Sequence, residues 1–168
     1  MTGKPTFERI VTVHGPTVLR VCRAVVGAAD ADDAWSETFL SAMRAYPDLP
    51  VEANVEAWLV TIAHRKAIDV TRKTARSPIP MAVPPDTATV VDHELGADMQ
   101  LAVALRQLPP KQRQAVAYHY LGGLPYAEVA AIIGGNASAA RRAAADAIAS
   151  LRRTYVGVAA TKGQLDEH

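Results

Sequence analysis

Cysteine is almost missing from this chain: Cys22 is the only one in 168 residues, so no internal disulfide and no cysteine pair for zinc can form. On an apolar helical stretch, that thiol reads as a core residue. Long apolar runs are missing too. The longest uncharged ones span about five residues, as at Val25 to Ala29, against the roughly 20 needed to cross a bilayer. The opening MTGKPTFERIVTVHG holds no apolar segment of the signal-peptide kind, so the expected location is the cytoplasm, without membrane insertion. Sustained apolar–polar alternation and Asn-Gly or Asp-Gly turns are absent, which argues against sheets. There is no Gly-rich phosphate loop, no His-Glu-x-x-His, and no Ser or Cys in a nucleophile-elbow setting. The five histidines, His14, His64, His93, His119 and His168, lack ligand spacing and read as surface or packing residues. No metal, cofactor or catalytic residue is expected.

Apolar residues make up 49% of the chain, enough for a real core, and the length fits one ordinary domain or two small ones. The formal charge is only +1, yet it is built from opposed blocks. Asp30 to Glu56 carries net −6 and His64 to Arg76 net +4; Arg106–Arg113 and Arg141–Arg153 each carry +3. Such blocks point to separate surfaces for separate partners.

Helical periodicity and abundant alanine predict an all-α fold. Helices are expected from near Pro16 to Gly27, over Ala34–Tyr46, and from about Asn54, a good N-cap, to Arg76. Residues 77–92 hold four prolines and no basic side chain, and the stretch 77–93 reads as a linker. Further helices are expected at about Glu94–Leu108, Pro110–Leu121, Pro125–Ile133 and Asn136–Tyr155. This divides the chain into a first unit at 1–76, the linker, a second unit at 94–155, and a loose tail at 156–168.

Three patterns can carry a function. Wound at 100° per residue, the third helix turns Val60, Ala63, Ala67 and Val70 inward. Trp58, Ile62, Arg65, Lys66, Asp69, Arg72, Lys73 and Arg76 fall on the other side. A basic stripe beginning with an aromatic suits a nucleic-acid strand, where phosphates need cations and unstacked bases a flat apolar surface. A solvated helix with Trp58 in the core fits the same spacing. Residues 108–153 give a short helix, a Gly134-Gly135 turn and a longer helix, the helix-turn-helix arrangement, with Asn136 as N-cap facing phosphate; a plain helical hairpin is the alternative. On Ala34–Tyr46, Ala34, Trp35, Thr38, Phe39, Ala42 and Met43 can face a core. Asp33, Ser36, Glu37, Leu40 and Arg44 then face out, as on any capped amphipathic helix.

In this order the patterns resemble a bacterial RNA polymerase sigma factor of the extracytoplasmic-function (ECF) type, in the sigma-70 family. Asp30-Ala31-x-Asp33-x-x-x-Glu37-Thr38-Phe39-Leu40-x-Ala42-x-Arg44 resembles region 2.2. Ala57-Trp58-Leu59-x-x-Ile62-Ala63 with Asp69-x-x-Arg72-Lys73 resembles the segment that reads the minus-ten element. Leu108-Pro109-Pro110-Lys111-Gln112-Arg113 and Gly123-Leu124-x-Tyr126-x-Glu128-Val129-Ala130 resemble the start of region 4. The resemblance covers about residues 7–153.

It implies a sigma region 2 helical bundle and a sigma region 4 helix-turn-helix, without catalysis. Asp33, Ser36, Glu37, Leu40 and Arg44 would hold the β′ clamp helices of core RNA polymerase. The loop Tyr46–Ala53 would take an unstacked base beside Asn54 and Trp58. Arg65, Lys66, Asp69, Arg72 and Lys73 would meet minus-ten promoter DNA. Lys111, Arg113, Asn136, Ser138, Arg141 and Arg142 would meet the minus-thirty-five element, with the β flap and an anti-sigma factor as further partners. A typical member carries Gln where Ser36 stands and Asn where Arg65 stands, and its recognition helix is basic along its length. Here Ala143, Ala144, Ala145 and Asp146 follow the two arginines. A sigma-like module that holds polymerase or an anti-sigma partner while reading DNA weakly is the second expectation.

Overall fold

The computed structural model describes residues 3–76 and 97–163, with side chains described at 3–73 and 100–154. Its elements are α1 (Phe7–Val26), α2 (Ala28–Ala45), a 3-10 turn (Tyr46–Asp48), α3 (Val55–Arg76), α4 (Ala97–Arg106), α5 (Pro110–Val116), a π turn (Ala117–Leu121), α6 (Tyr126–Ile133) and α7 (Ala137–Gly163). The described residues contain no strand. The proline-rich stretch 77–93 lies outside the described residues.

Helix α1 begins at Phe7, well before Pro16, which sits inside it. Thr6 supplies the start, its hydroxyl accepting from the Arg9 amide at 3.3 Å. Proline costs one backbone bond and strains the preceding turn; the buried Ile10, Val18, Val21 and Val25 hold the helix together on either side of it. Helix α2 also starts early, at Ala28, so the acids Asp30, Asp32 and Asp33 lie within the helix instead of preceding it. Asp30 in the first turn suits the positive end of the dipole. Gly27 makes the abrupt junction with φ +87°, a conformation that disfavours side chains.

Helix α1 is the shared wall of the molecule. It packs on α2 and α3 on one side and on α4, α5 and the π turn on the other. One continuous core results, running from Ile10 and Val18 through Leu59 and Leu105 to Ala144 and Ala147. At its centre lies a polar pair. The Tyr118 hydroxyl, fully buried, meets His64 Nδ1 at 2.6 Å, with the rings edge-on. Burial pushes the neighbouring Cys22 thiol up to about 12, which leaves it an inert core group.

The α1 C-terminus is held by the second half of the chain. Val25 O accepts from Arg106 Nη1 at 2.9 Å and from Arg113 Nη1 at 3.2 Å. Arg113 also donates to the carbonyls of Leu105, Arg106 and Leu108 at 2.9 to 3.2 Å. Four carbonyls at the ends of two helices and their connection therefore share one guanidinium. The π turn is closed by Gly122 N donating to Ala117 O at 2.9 Å. A Cβ on Gly122 would stand 2.7 Å from Tyr118 O, so only glycine fits.

Two stability measurements follow. Arg113→Lys keeps the charge and loses the fork; with net hydrogen bonds to charged groups worth about 1.5–3 kcal/mol, it should lower stability by about 2 kcal/mol, or about 4–8 °C in thermal midpoint. An unchanged midpoint would remove Arg113 from the frame. His64 is held below its ordinary value by burial first and by Arg65 second. The unfolded chain therefore takes up the proton first. Stability is intact above the unfolded value of about 6.5 and declines as pH falls below it toward the lower folded value. His64→Gln should flatten the decline in midpoint between about pH 7 and 5 relative to the parent, measured by circular dichroism.

Candidate nucleic-acid and polymerase interface

Three surfaces carry the residues singled out by the sequence. The first is the outer face of α2. Ala31, Ala34, Thr38, Phe39 and Ala42 are buried, and Trp35 is half-buried with its indole N–H on Gly15 O at 2.9 Å. Gly15 leaves room for that ring: a Cβ there would meet Trp35 Cζ2 at 3.4 Å. Asp33, Ser36, Glu37, Leu40 and Arg44 all point outward and are exposed. Met43, assigned inward by periodicity, is instead 50% exposed beside the equally exposed Leu40. Phe7 from α1, its ring tilted against Phe39 with centres 6.4 Å apart and against Tyr46 at 5.5 Å, helps to fill the inner side.

The second surface is α3. Asn54 caps it, its Oδ1 accepting from Ala57 N at 3.1 Å, which leaves Asn54 itself exposed at the loop. Arg65, Asp69, Arg72 and Lys73 are exposed and Lys66 is half-buried. Ile62, placed on the outer stripe by winding the helix, is instead buried at 9% exposure and belongs to the core; an ideal wheel cannot see the tertiary packing that covers it. Trp58 is half-buried with its ring centre 6.2 Å from that of Tyr46. Arg76 lies beyond the described side chains.

The loop of residues 46–54 is anchored by a feature the sequence did not signal. The Tyr46 hydroxyl donates to Pro5 O, Lys4 Nζ donates to Tyr46 O, and the same ammonium lies 4.2 Å from the Tyr46 ring centre. Contacts of about 40 residues' separation leave no local pattern to find. Between α2 and α3 a groove of about 270 Å³ is lined by Asp30, Asp33, Ser36, Glu37, Asp69 and Lys73. It brings the first two surfaces edge to edge.

The third surface is built by α5, α6 and α7. Asn136 caps α7, its Oδ1 accepting from Ala139 N at 2.8 Å. Ser138, Arg141 and Arg142 are exposed on its first turns, while Ala140, Ala144 and Ala147 are buried. Lys111 is exposed and shares a groove of about 320 Å³ with Gln112, Arg142 and Asp146. Arg113 does not join them. Its guanidinium is engaged by the four carbonyls described above, so its role here is structural. The backbone of α7 stays helical to Gly163, into the stretch expected to be a loose tail. Among the described residues, no group of three metal-binding side chains is placed to hold an ion, and no helix is long and apolar enough to cross a membrane.

Comparisons with known proteins agree on what these surfaces belong to. The Sigma-70 region 2 family model matches residues 10–77, and the Sigma-70, region 4 model matches residues 98–151. The ECF RNA polymerase sigma factor SigK of Mycobacterium ulcerans is 31% identical over 141 residues, covering 79% of this chain and 75% of that protein. The ECF sigma factor SigE of Mycolicibacterium smegmatis is 30% identical over 141 residues, covering 77% of this chain; the chain spans 54% of that relative's length, little more than half. In fold, the chain resembles the sigma factor RpoE of Bartonella quintana, solved with the anti-sigma factor NepR, with a TM-score of 0.70 at 20% identity, over 88% of this chain and 94% of that one. Two sigma regions in the expected order and close to a third identity along most of the chain place this protein in the family of ECF RNA polymerase sigma factors.

Proposed function

We propose that this chain binds core RNA polymerase and directs it to promoters, acting in the cytoplasm and contributing no catalytic group of its own. The observation that carries this reading is the exposed face of α2, with Asp33, Ser36, Glu37, Leu40 and Arg44, which the core does not use, set across one groove from the basic stripe of α3. Residues 1–76 then form the polymerase-binding and minus-ten unit. The α2 face takes the β′ clamp helices, apolar at Leu40 and Met43 and charged around them. Beside it, Arg65, Lys66, Arg72 and Lys73 track the phosphates of the opened strand, with Asp69 among them. Asn54 and Trp58 flank the loop that receives an unstacked base.

Residues 94–155 form the minus-thirty-five unit. Lys111, Ser138, Arg141 and Arg142 are the exposed polar groups available to the duplex and to phosphate near the β flap, with Asn136 leaving the first amides of α7 facing outward. An anti-sigma factor is the natural regulator, since any protein covering the α2 face would displace polymerase. The Bartonella relative was solved with such a partner.

Charge reversal at one exposed α2 position tests the polymerase contact. Glu37→Lys should weaken binding to core polymerase by about tenfold or more, since like charges across an interface are costly, and leave the thermal midpoint nearly unchanged, as surface substitutions stay within about 0.5 kcal/mol. Undiminished core binding would remove α2 as the clamp contact. For the DNA face, Arg72→Ala with Lys73→Ala in reconstituted holoenzyme should reduce the slope of log affinity against log salt by about 1.4, two single-strand phosphate contacts at about 0.7 each. An unaltered slope would return α3 to an ordinary solvated helix.

A further inference from the structure

Helix α7 offers few groups for DNA. After Arg141 and Arg142 come three alanines and Asp146, so whatever the helix reads must be read by its first turns. An arginine on an exposed helix samples many rotamers and is a poor reader unless something holds it.

Something does hold Arg141. Its guanidinium carbon lies 5.2 Å from the centre of the Tyr126 ring, on the first turn of α6. The Tyr126 ring is itself stacked on His119, with centres 3.8 Å apart and planes inclined by 13°. His119 is tied to the backbone, its Nδ1 meeting Leu124 O at 2.7 Å, and Leu124 is a fully buried core residue. Tyr120, 57% exposed, closes the set edge-on against His119 at 4.7 Å. The Tyr126 phenol is raised above its ordinary value, by burial first and then by a hydrogen bond with Tyr120.

The π turn makes this possible. Its extra residue sends Tyr118 into the core while His119 and Tyr120 emerge toward α6, and such turns recur at functional positions. Nothing in the core requires an exposed tyrosine next to a half-buried one.

Resting on the reading of α7 as the minus-thirty-five helix, we propose that Tyr126, backed by His119, is a positioning residue that holds Arg141 in place to read a guanine edge. A guanidinium lying over a ring face is attracted by it and keeps its in-plane N–H groups free. Those groups are the ones that bind guanine O6 and N7 in pairs. One pre-set arginine thereby does what a row of mobile basic residues does elsewhere.

The test uses holoenzyme assembled from the full chain and bacterial core polymerase, incubated with duplexes randomised through both promoter elements, followed by sequencing of the bound fraction. Arg141→Ala should abolish a guanine preference of about tenfold at one minus-thirty-five position. Tyr126→Ala and Tyr126→Leu should abolish the same preference and leave other positions unchanged. Tyr126→Phe, which keeps the ring, should retain it, and Tyr126→Ala combined with Arg141→Ala should be no worse than Arg141→Ala alone. Loss with Arg141→Ala but retention in both Tyr126→Ala and Tyr126→Leu overturns the positioning role and leaves the recognition reading standing. A uniform weakening at every position by the Tyr126 variants also overturns it, since that is what a merely structural ring would give. If Arg141→Ala changes no preference, the recognition reading fails and the positioning role falls with it.

Discussion

The carbonyl of Val25 is where the two halves of this molecule are joined. Helix α1 ends there because Gly27 turns the chain sharply into α2, and a helix that stops so abruptly leaves acceptors without internal partners. Two arginines from beyond the linker converge on that one oxygen. Positive charge at a helix C-terminus is favoured by the macrodipole, and a fork of donors can satisfy several carbonyls at once. Arg113 does this for the α4–α5 connection and for α1 together. Remove that shared guanidinium and the α1 terminus, the end of α4 and the α4–α5 connection at Leu108 each lose a partner. The His64–Tyr118 bond adds a second tie between α3 and the π turn, with the Tyr118 side chain fully buried.

Because α1 is covered on both sides, α2 and α3 each have one face against it and another left outward. The outward faces hold the charge blocks seen in the composition: acids on α2, bases on α3, meeting at one groove. Separate fields on adjacent helices reconcile a net charge of +1 with the two partners proposed above, an acidic nucleic acid and a protein. The two fields stand on adjacent helices and are close enough that Asp69 and Lys73 of α3 line the same groove as Asp33 and Glu37 of α2.

Much of this was legible from residues alone, where the cause is local. Asn54 and Asn136 cap helices as their positions suggest, and α2 exposes the five residues that periodicity turned outward. Where the cause is distant, the sequence misleads. Pro16 reads as a helix start, yet burial of Ile10 on one side and Val18 on the other carries the helix through it. Ile62 reads as exposed because nothing in α3 foretells what covers it. Arg113 reads as a DNA contact because the motif surrounding it belongs to a DNA-binding region; only the approach of α1 shows that its donors are already used. The clasp of Lys4 and Pro5 on Tyr46 joins segments some 40 residues apart, and no periodicity encodes it.

The alanine content of α7 looks at first like a loss of function in a recognition helix, but packing gives it a reason. Ala140, Ala144 and Ala147 are at most 2% exposed, facing α5 and α6, and small side chains there let the helices approach closely. Ala143 also packs against the core, and the exposed Ala145 saves the ordering cost of a long side chain but gives up contacts. On the proposed reading, recognition falls to the N-terminal end of the helix, where the Asn136 cap, Ser138, Arg141 and Arg142 lie within two turns and the helix dipole adds to the attraction for phosphate. With so few groups, orientation counts for more than number, and the rings of His119, Tyr120 and Tyr126 are the only described aromatics gathered beside that end of the helix.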